Sequence, residues 1–255
     1  MGRMLLQEVL AQSEASLAGG VEAPGNALVG QDIGLLIGPK PLGVLVGDDA
    51  DQLFAASDAV IDFTHPSALP RHAELAVKHG TALVVGTTGL QDSGLTGLAE
   101  AAKKTAIVRS ANMSVGITLL TSLVEQLAAK LAADIFDVEI TEMHHRHKID
   151  APSGTALALG EAAARGRQVS LDQVARKSRD GHVGARPMGE IGFSTLRGGD
   201  VVGDHTVIFA ADGERIEIGH KASSRQIFAR GAVRAALWAA GRAPGLYGMK
   251  DVLGV

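Results

Sequence analysis

Ala59-Val60-Ile61-Asp62-Phe63-Thr64 is a short apolar run closed by His65-Pro66, and Ala82-Leu83-Val84-Val85-Gly86-Thr87-Thr88-Gly89 repeats the design. Between the two, Ala68 to His79 is patterned as a helix. A third run, Ala106-Ile107-Val108, ends at Arg109-Ser110-Ala111-Asn112. Strands with continuous apolar sequence, alternating with helices, argue for a parallel sheet covered on both faces. In such sheets ligands bind beyond the carboxyl ends of the strands. Those ends carry Thr64-His65, Gly86-Thr87-Thr88-Gly89 and Ser110-Ala111-Asn112.

Upstream, Leu5, Leu6, Val9 and Leu10 recur at helical spacing, which predicts a helix from Gly2 to about Ala18, before Gly19-Gly20. Downstream of Asn112 the pattern changes. An apolar helix is predicted from about Val115 to Ala133, then a strand from Phe136 to Met143 that leads into a dense polar cluster. Beyond residue 188 come alternating segments, Ile191 to Leu196, Val201 to Phe209 and Arg215 to His220, separated by Gly-rich or Asp-Gly turns that suit antiparallel pairing. These describe a second domain. A helix from about Ser224 to Ala240, with Ile227, Val233, Leu237 and Trp238 inward, returns the chain to the first. Arg165 to Gly189 is polar and Gly-rich and reads as a mobile linker. The fold class is therefore α/β: a Rossmann-like doubly wound parallel sheet (residues 1–114 and 224–255) plus an α+β domain with a mixed, mostly antiparallel sheet (residues 115–223).

Composition bounds the function classes. With 255 residues, 46% hydrophobic and 20% charged, the chain can bury a sizeable core. A formal net charge of −4 gives no broad basic field for nucleic acid or an anionic membrane, so any anion site is local. No cysteine is present, which excludes disulfides, thiolate zinc sites and a thiol nucleophile. No apolar run reaches the roughly 20 residues of a membrane span, and the start lacks the apolar stretch of a signal peptide, so the expected location is cytoplasmic.

The densest chemistry lies at Glu142-Met143-His144-His145-Arg146-His147-Lys148-Ile149-Asp150-Ala151-Pro152-Ser153-Gly154-Thr155. Five potentially cationic side chains in a row repel one another unless an anion sits among them. Immediately after, Pro152-Ser153-Gly154-Thr155 precedes an Ala- and Leu-rich run, so a helix starts there with backbone N–H groups pointing outward. A cationic strand end facing a helix start suits a dicarboxylate. Histidine exchanges protons near neutrality, and a lysine among cations can serve as an acid. A solvated basic turn is the bland alternative. A metal site is the sharper one, since Glu142, His144, His145 and His147 are ligand types, although Arg146 and Lys148 would oppose a divalent ion.

The strand-end motifs are weaker alone. Gly86-Thr87-Thr88-Gly89 can bring donors to a cofactor or be only a turn. Asn112 can hydrogen-bond an amide or cap the next helix. Glu22, near a strand end, can accept from ribose hydroxyls or be plain surface. Trp238 reads as core, and Asp62 as a turn cap.

With these residues in hand, the run from Glu142 to Ala156 resembles the signature of the 4-hydroxy-tetrahydrodipicolinate (dihydrodipicolinate) reductases. The similarity extends through Asp62-Phe63-Thr64, Val85 to Gly89, Ser110 to Gly116, Gly203-Asp204-His205 and His220 to Arg225. The resemblance implies reduction of a hydroxylated tetrahydrodipicolinate, with loss of water, by NADH or NADPH on the diaminopimelate route to lysine. It implies that His144 is the proton donor or acceptor and Lys148 the proton donor, with His145, Gly154 and Thr155 holding substrate carboxylate. Gly86, Thr87, Thr88, Ser110, Ala111, Asn112 and Met113 would line the nicotinamide side, and Glu22 would hold the adenosine ribose. No metal is implied, and the assembly would be a homotetramer joined through the antiparallel sheets.

Two departures from the family pattern stand out. The family opens with a strand and a Gly-x-x-Gly-Arg-Met-Gly loop under the pyrophosphate, whereas here Met1-Gly2-Arg3-Met4 matches only the end of that loop, leaving Gly2, Arg3 and Met4 as its cofactor-side residues. The expectation is a natural chain that starts upstream, with a truncated paralogue that binds dicarboxylates or joins full-length subunits as the alternative. Ala23 stands where some relatives carry an arginine beside the ribose acid, which predicts no strong preference for NADPH.

Overall fold

In the computed structural model, which describes residues 1–255, the apolar runs of the first third become parallel strands. In chain order the elements are α1 (Gly2–Ala11), β1 (Gly20–Val21), α2 (Ile33–Ile37), β2 (Val46–Gly47), α3 (Ala50–Ala55), β3 (Ala59–Asp62), α4 (Leu69–His79), β4 (Ala82–Val85), α5 (Asp92–Ala102) and β5 (Ala106–Arg109). There follow α6 (Val115–Lys130), β6 (Asp137–His144), α7 (Gly154–Gly166), α8 (Leu171–Val174), β7 (Ala175–Arg176), β8 (Ile191–Arg197), β9 (Gly203–Ala211) and β10 (Glu214–Ala222). The chain closes with α9 (Gln226–Ala239), β11 (Gly245–Tyr247) and α10 (Met249–Leu253). They form two units, Met1–Ser114 with Gln226–Gly254, and Val115–Arg225.

In the first unit the sheet runs β11-β5-β4-β3, all parallel. Central β4 is buried along its whole length, as continuous apolar sequence demands, while β3 is an edge strand and half-buried over its first residues. β1 and β2 pair with each other in a separate parallel ribbon. Phe54, Leu69, Leu75, Leu83, Val85, Leu98 and Ile107 make the core under α4 and α5. Helix α4 stops where Gly80 takes a left-handed conformation (φ 68°), which glycine adopts without steric cost. Helix α1 ends at Ala11 rather than near Ala18, because the apolar stripe is exhausted at Leu10 and Gln12 is already extended (φ −91°, ψ 125°). Trp238 is only half-buried: it stacks edge-on with Tyr247 at 5.0 Å and carries the Arg242 guanidinium 4.4 Å above its ring.

In the second unit the order is β10-β9-β6-β8-β7. β9 is antiparallel to both β10 and β6, but β8 joins β6 in parallel, as does β7 join β8, so the sheet is mixed. The parallel pair is possible because a long segment containing α7 and α8 separates β6 from β8, enough for a crossover. One face of β6, β8 and β9 contributes Val138, Ile140, Ile191, Phe193, Val207 and Phe209 to a core with Leu120, Val124, Leu159 and Ala163 from α6 and α7. Small residues let α7 lie close: a Cβ on Gly160 would fall 2.5 Å from the Phe193 ring. The segment Arg165 to Gly189, expected as a linker, instead finishes α7 and holds α8 and β7. Its remainder is largely exposed and is anchored at two side chains, Arg179 and Arg186, which both bond Glu139, at 2.9 Å each, while Arg186 also bonds Asp137 at 2.5 Å.

Candidate active site

Strand β6 alternates strictly between half-buried and buried residues, so Val138, Ile140, Glu142 and His144 share the inward face. The last two are polar, and a buried carboxylate is costly unless it is fully paired. Glu142, 1% exposed, is paired on every side. Arg197, the register partner of His144 on β8, grips it with two bonds, Nη1 to Oε2 at 2.8 Å and Nη2 to Oε1 at 3.0 Å. The Ser153 N–H donates to Oε1 at 3.0 Å, and His144 Nδ1 lies 2.6 Å from Oε2. Burial pushes the Glu142 carboxyl up, but the bonds from Arg197, His144 and Ser153 outweigh it and hold it below the usual carboxylate range. An ionised carboxylate only accepts, so His144 donates through Nδ1 and its Nε2 points elsewhere.

Beyond β6 the chain turns tightly. Arg146 N–H donates to Gly199 carbonyl and Lys148 N–H to His145 carbonyl, while Arg197 Nη2 holds the Asp150 carbonyl at 2.6 Å. Lys148 Nζ pairs with Asp150 at 2.8 Å, and the lysine bond keeps the Asp150 carboxyl below its ordinary value. Two of the anions anticipated among the cations are thus the chain's own, Glu142 and Asp150. The Ala151-Pro152 peptide is cis, and Ser153 then caps α7, its Oγ accepting from Ala156 N–H at 3.1 Å. Gly154 is exposed and Thr155 half-buried on the first turn of that helix.

His205 on β9 lies under this arrangement. It is 4% exposed, meets Ser153 Oγ through Nε2 at 3.1 Å and stands edge-on to His144 with ring centroids 5.0 Å apart. Burial, reinforced by nearby His144, pushes its imidazole down to about 4, so it is neutral in ordinary buffers. Its Nδ1, like those of His145 and His220, is buried without a hydrogen-bond partner. Gly203 lies against His144, where a Cβ would be 3.0 Å from Nε2. Nowhere do three His, Asp or Glu side chains converge in the way that holding a metal ion requires.

In the first unit the expected cofactor residues lie at the carboxyl ends of β3, β4 and β5, and Asp62 ties two of those ends together. Asp62, 2% exposed, accepts from Thr64 N–H at 2.8 Å, Thr64 Oγ1 at 2.7 Å, Thr87 Oγ1 at 3.0 Å and His72 Nδ1 at 2.7 Å. Burial alone would raise its carboxyl, but His72 and Thr64 hold it below the ordinary range. Gly86 lies against Phe63, where a Cβ would fall 2.3 Å from the ring, and Thr88 is exposed beyond it. Ser110 Oγ donates to the Asn112 carbonyl at 2.7 Å, and Asn112 Oδ1 accepts from Ser114 N–H at 2.9 Å, so Asn112 shapes the entry to α6. Ala111 is exposed and Met113 buried. Gly2, Arg3 and Met4 form the first turn of α1, and Glu22 is an exposed residue just after β1, bonded by Asn26 at 3.2 Å.

The structure therefore gathers Glu142, His144, Lys148, Ser153 and the start of α7 in one unit, and Gly86, Thr87 and Ser110 to Met113 at neighbouring strand ends in the other. Sequence pattern assigns no role to Arg197 or His205, places Ser153 only in the helix start, and offers Glu142 only as a possible metal ligand. Glu142 stands two residues before His144 on a strand, which puts both on one face; that spacing was the available signal.

The family profiles described as the N-terminal and C-terminal parts of dihydrodipicolinate reductase match residues 1–113 and 116–253. A 4-hydroxy-tetrahydrodipicolinate reductase of Dinoroseobacter shibae is 52% identical over all 255 residues, covering 94% of that relative, and one of Cereibacter sphaeroides is 54% identical with the same coverage. Among solved structures, a dipicolinate-bound dihydrodipicolinate reductase from Paenisporosarcina sp. TG-14 superposes with a TM-score of 0.77 at 22% identity, over 98% of this chain and 94% of that one. A probable dehydrogenase from Thermotoga maritima shares the fold more distantly, with a TM-score of 0.62 at 10% identity.

Proposed function

The chain belongs to the dihydrodipicolinate reductase family, and from that premise we infer that it reduces 4-hydroxy-tetrahydrodipicolinate to tetrahydrodipicolinate with NADH or NADPH, in lysine biosynthesis through diaminopimelate. The observation that carries this reading is identity above one half along the whole chain with relatives of that name. No observation favours a binding-only paralogue.

The residues suit the chemistry. The net reaction adds a hydride and a proton and releases water, so the protein has to hold a dicarboxylate and deliver protons to it. The turn from His145 to Lys148 and the first turn of α7, Gly154 and Thr155, supply cations and N-terminal helix dipole for the two carboxylates, with His145 as a further donor. His144 is the proton donor or acceptor. Lys148, held by Asp150, is the proton donor at the reacting centre.

Residues 1–114 and 224–255 form the dinucleotide-binding domain in this reading, and residues 115–223 the domain for substrate and oligomerisation. The strand ends fit a dinucleotide. Buried Asp62 fixes the Thr64 and Thr87 hydroxyls, and Phe63 occupies the space above Gly86 that a side chain would fill, leaving backbone and hydroxyl donors at the sheet edge. Gly86, Thr87, Thr88 and Ser110 to Met113 would hold the nicotinamide half, Glu22 the adenosine ribose, and Gly2, Arg3 and Met4 the phosphate side. Bound NADH or NADPH supplies the hydride. With Ala23 beside Glu22, no cation is provided there for a 2′-phosphate, so NADPH gains no strong preference. A homotetramer and a cytoplasmic location complete the reading; no helix is long and apolar enough to cross a membrane.

The test is turnover of freshly generated substrate, followed by nicotinamide absorbance with each cofactor. Substrate-dependent oxidation of NADH or NADPH by the wild-type protein, lowered about 10²-fold or more in kcat by Lys148→Met, is expected. An inactive wild-type protein, or a Lys148→Met variant with unchanged kcat, would overturn it.

A further inference from the structure

A carboxylate buried on the inward face of a strand is an expensive component, and Glu142 is bonded in a way that splits its two oxygens between two tasks. Oε1 takes the Ser153 N–H and Arg197 Nη2, and so ties the turn after β6 to β8. Oε2 takes Arg197 Nη1 and, at 2.6 Å, His144 Nδ1. A turn could be tied without the second oxygen reaching an imidazole. What that contact adds is a choice of atom: an imidazole whose Nδ1–H is committed to a carboxylate has only Nε2 left for proton exchange, and its ring is held in one orientation. The surroundings agree. His205 packs edge-on against the ring, and Gly203 has no side chain where a Cβ would press on Nε2.

We propose that Glu142 is the positioning residue for His144, accepting its Nδ1–H so that Nε2 is the atom that exchanges the proton. This deepens the reductase reading and rests on it for the role of His144. Glu142 itself touches neither substrate nor cofactor in this assignment. Its effect is on the tautomer and orientation of the imidazole, and therefore on kcat more than on KM.

The first measurement needs no substrate and no variant. Long-range nitrogen–proton NMR correlations of the histidine rings in the intact wild-type protein report which nitrogen of His144 carries hydrogen, and a protonated Nδ1 is expected. An Nδ1 without hydrogen would overturn the proposal even if the enzyme turns over. Two variants then separate positioning from tying the turn. Glu142→Gln is expected to lose roughly 10²- to 10⁴-fold in kcat, as when a histidine loses the carboxylate that sets its tautomer, and to change the ring signature of His144. Arg197→Lys loosens the same turn but leaves the Glu142 to His144 bond, so it is expected to keep the His144 signature and lose no more than about tenfold in kcat. Equal losses in kcat with parallel rises in KM for both variants would assign Glu142 to the turn alone and overturn the inference. A wild-type protein with the expected tautomer but no turnover would instead count against the reductase reading.

Discussion

At the scale of single residues, the unusual group is His205, a neutral imidazole in a region rich in potential cations. Its folded value of about 4 lies below the ordinary 6.5, because burial and His144 oppose its charge. Between those two values the unfolded chain binds a proton that the folded chain does not, so the folded state loses stability as pH falls through that window. The full difference is about 3 kcal/mol, a large share of a typical domain's stability. His205→Gln keeps a polar group near Ser153 Oγ and removes the titration. Urea unfolding from about pH 7 to about pH 4 should therefore show a shallower loss of stability for the variant than for the wild type. Parallel pH profiles would refute this role. The residue types from Glu142 to Thr155 were legible in the sequence because they are contiguous. Their partners were not. Arg197 is 55 positions from Glu142 and His205 is 52 from Ser153, and only the pairing of β8 and β9 with β6 brings them in.

At the scale of elements, apolar run length and periodicity were enough to read β3, β4, β5, α4 and α6, most plainly β4, which is buried along its whole length and cannot hide its composition. Pairing direction was not readable. Ile191 to Arg197 alternates just as an antiparallel strand would, yet it lies parallel to β6, because direction is set by the crossover and not by the strand itself. Besides the bonds to Asp62, the strand ends of the first unit are shaped by one close approach, Phe63 on Gly86. A methyl group at Gly86 would lie 2.3 Å from the Phe63 ring, so Gly86→Ala must displace the aromatic or the loop that carries Thr87 and Thr88. Overpacking of this kind costs about 1–3 kcal/mol, and the displaced loop should weaken NADH binding as well. The check is a double-mutant cycle by chemical denaturation: Phe63→Leu should recover part of the loss in Gly86→Ala, and strictly additive losses would remove the contact from the explanation.

At the scale of the whole molecule, the second unit has a sheet with two unlike faces. One face packs on α6 and α7, while the other carries Thr141, Met143, Leu196, Thr206 and Ile208, of which Leu196 is 51% exposed. An apolar side chain left half open at that position keeps hydrophobic surface in contact with water. Its composition makes sense if another copy of the sheet covers it, which is the arrangement a homotetramer joined through these sheets would use. The sequence could not disclose this from its own pattern, since the covering partner is a second molecule and the alternation along β8 looks the same whether the outer face meets water or protein. Symmetry makes the test sensitive. A charge at one position of a self-complementary interface is buried in every copy at once, and each unpaired buried carboxylate costs several kcal/mol. Leu196→Glu should therefore leave the inward core of the unit intact, seen as an unchanged far-ultraviolet circular dichroism spectrum, while sedimentation velocity shows the assembly dissociating into smaller species. If the wild type already sediments as a monomer, or if the variant keeps the wild-type mass, Leu196 does not lie in a subunit interface, and its exposed position has to be explained on the surface of a free sheet.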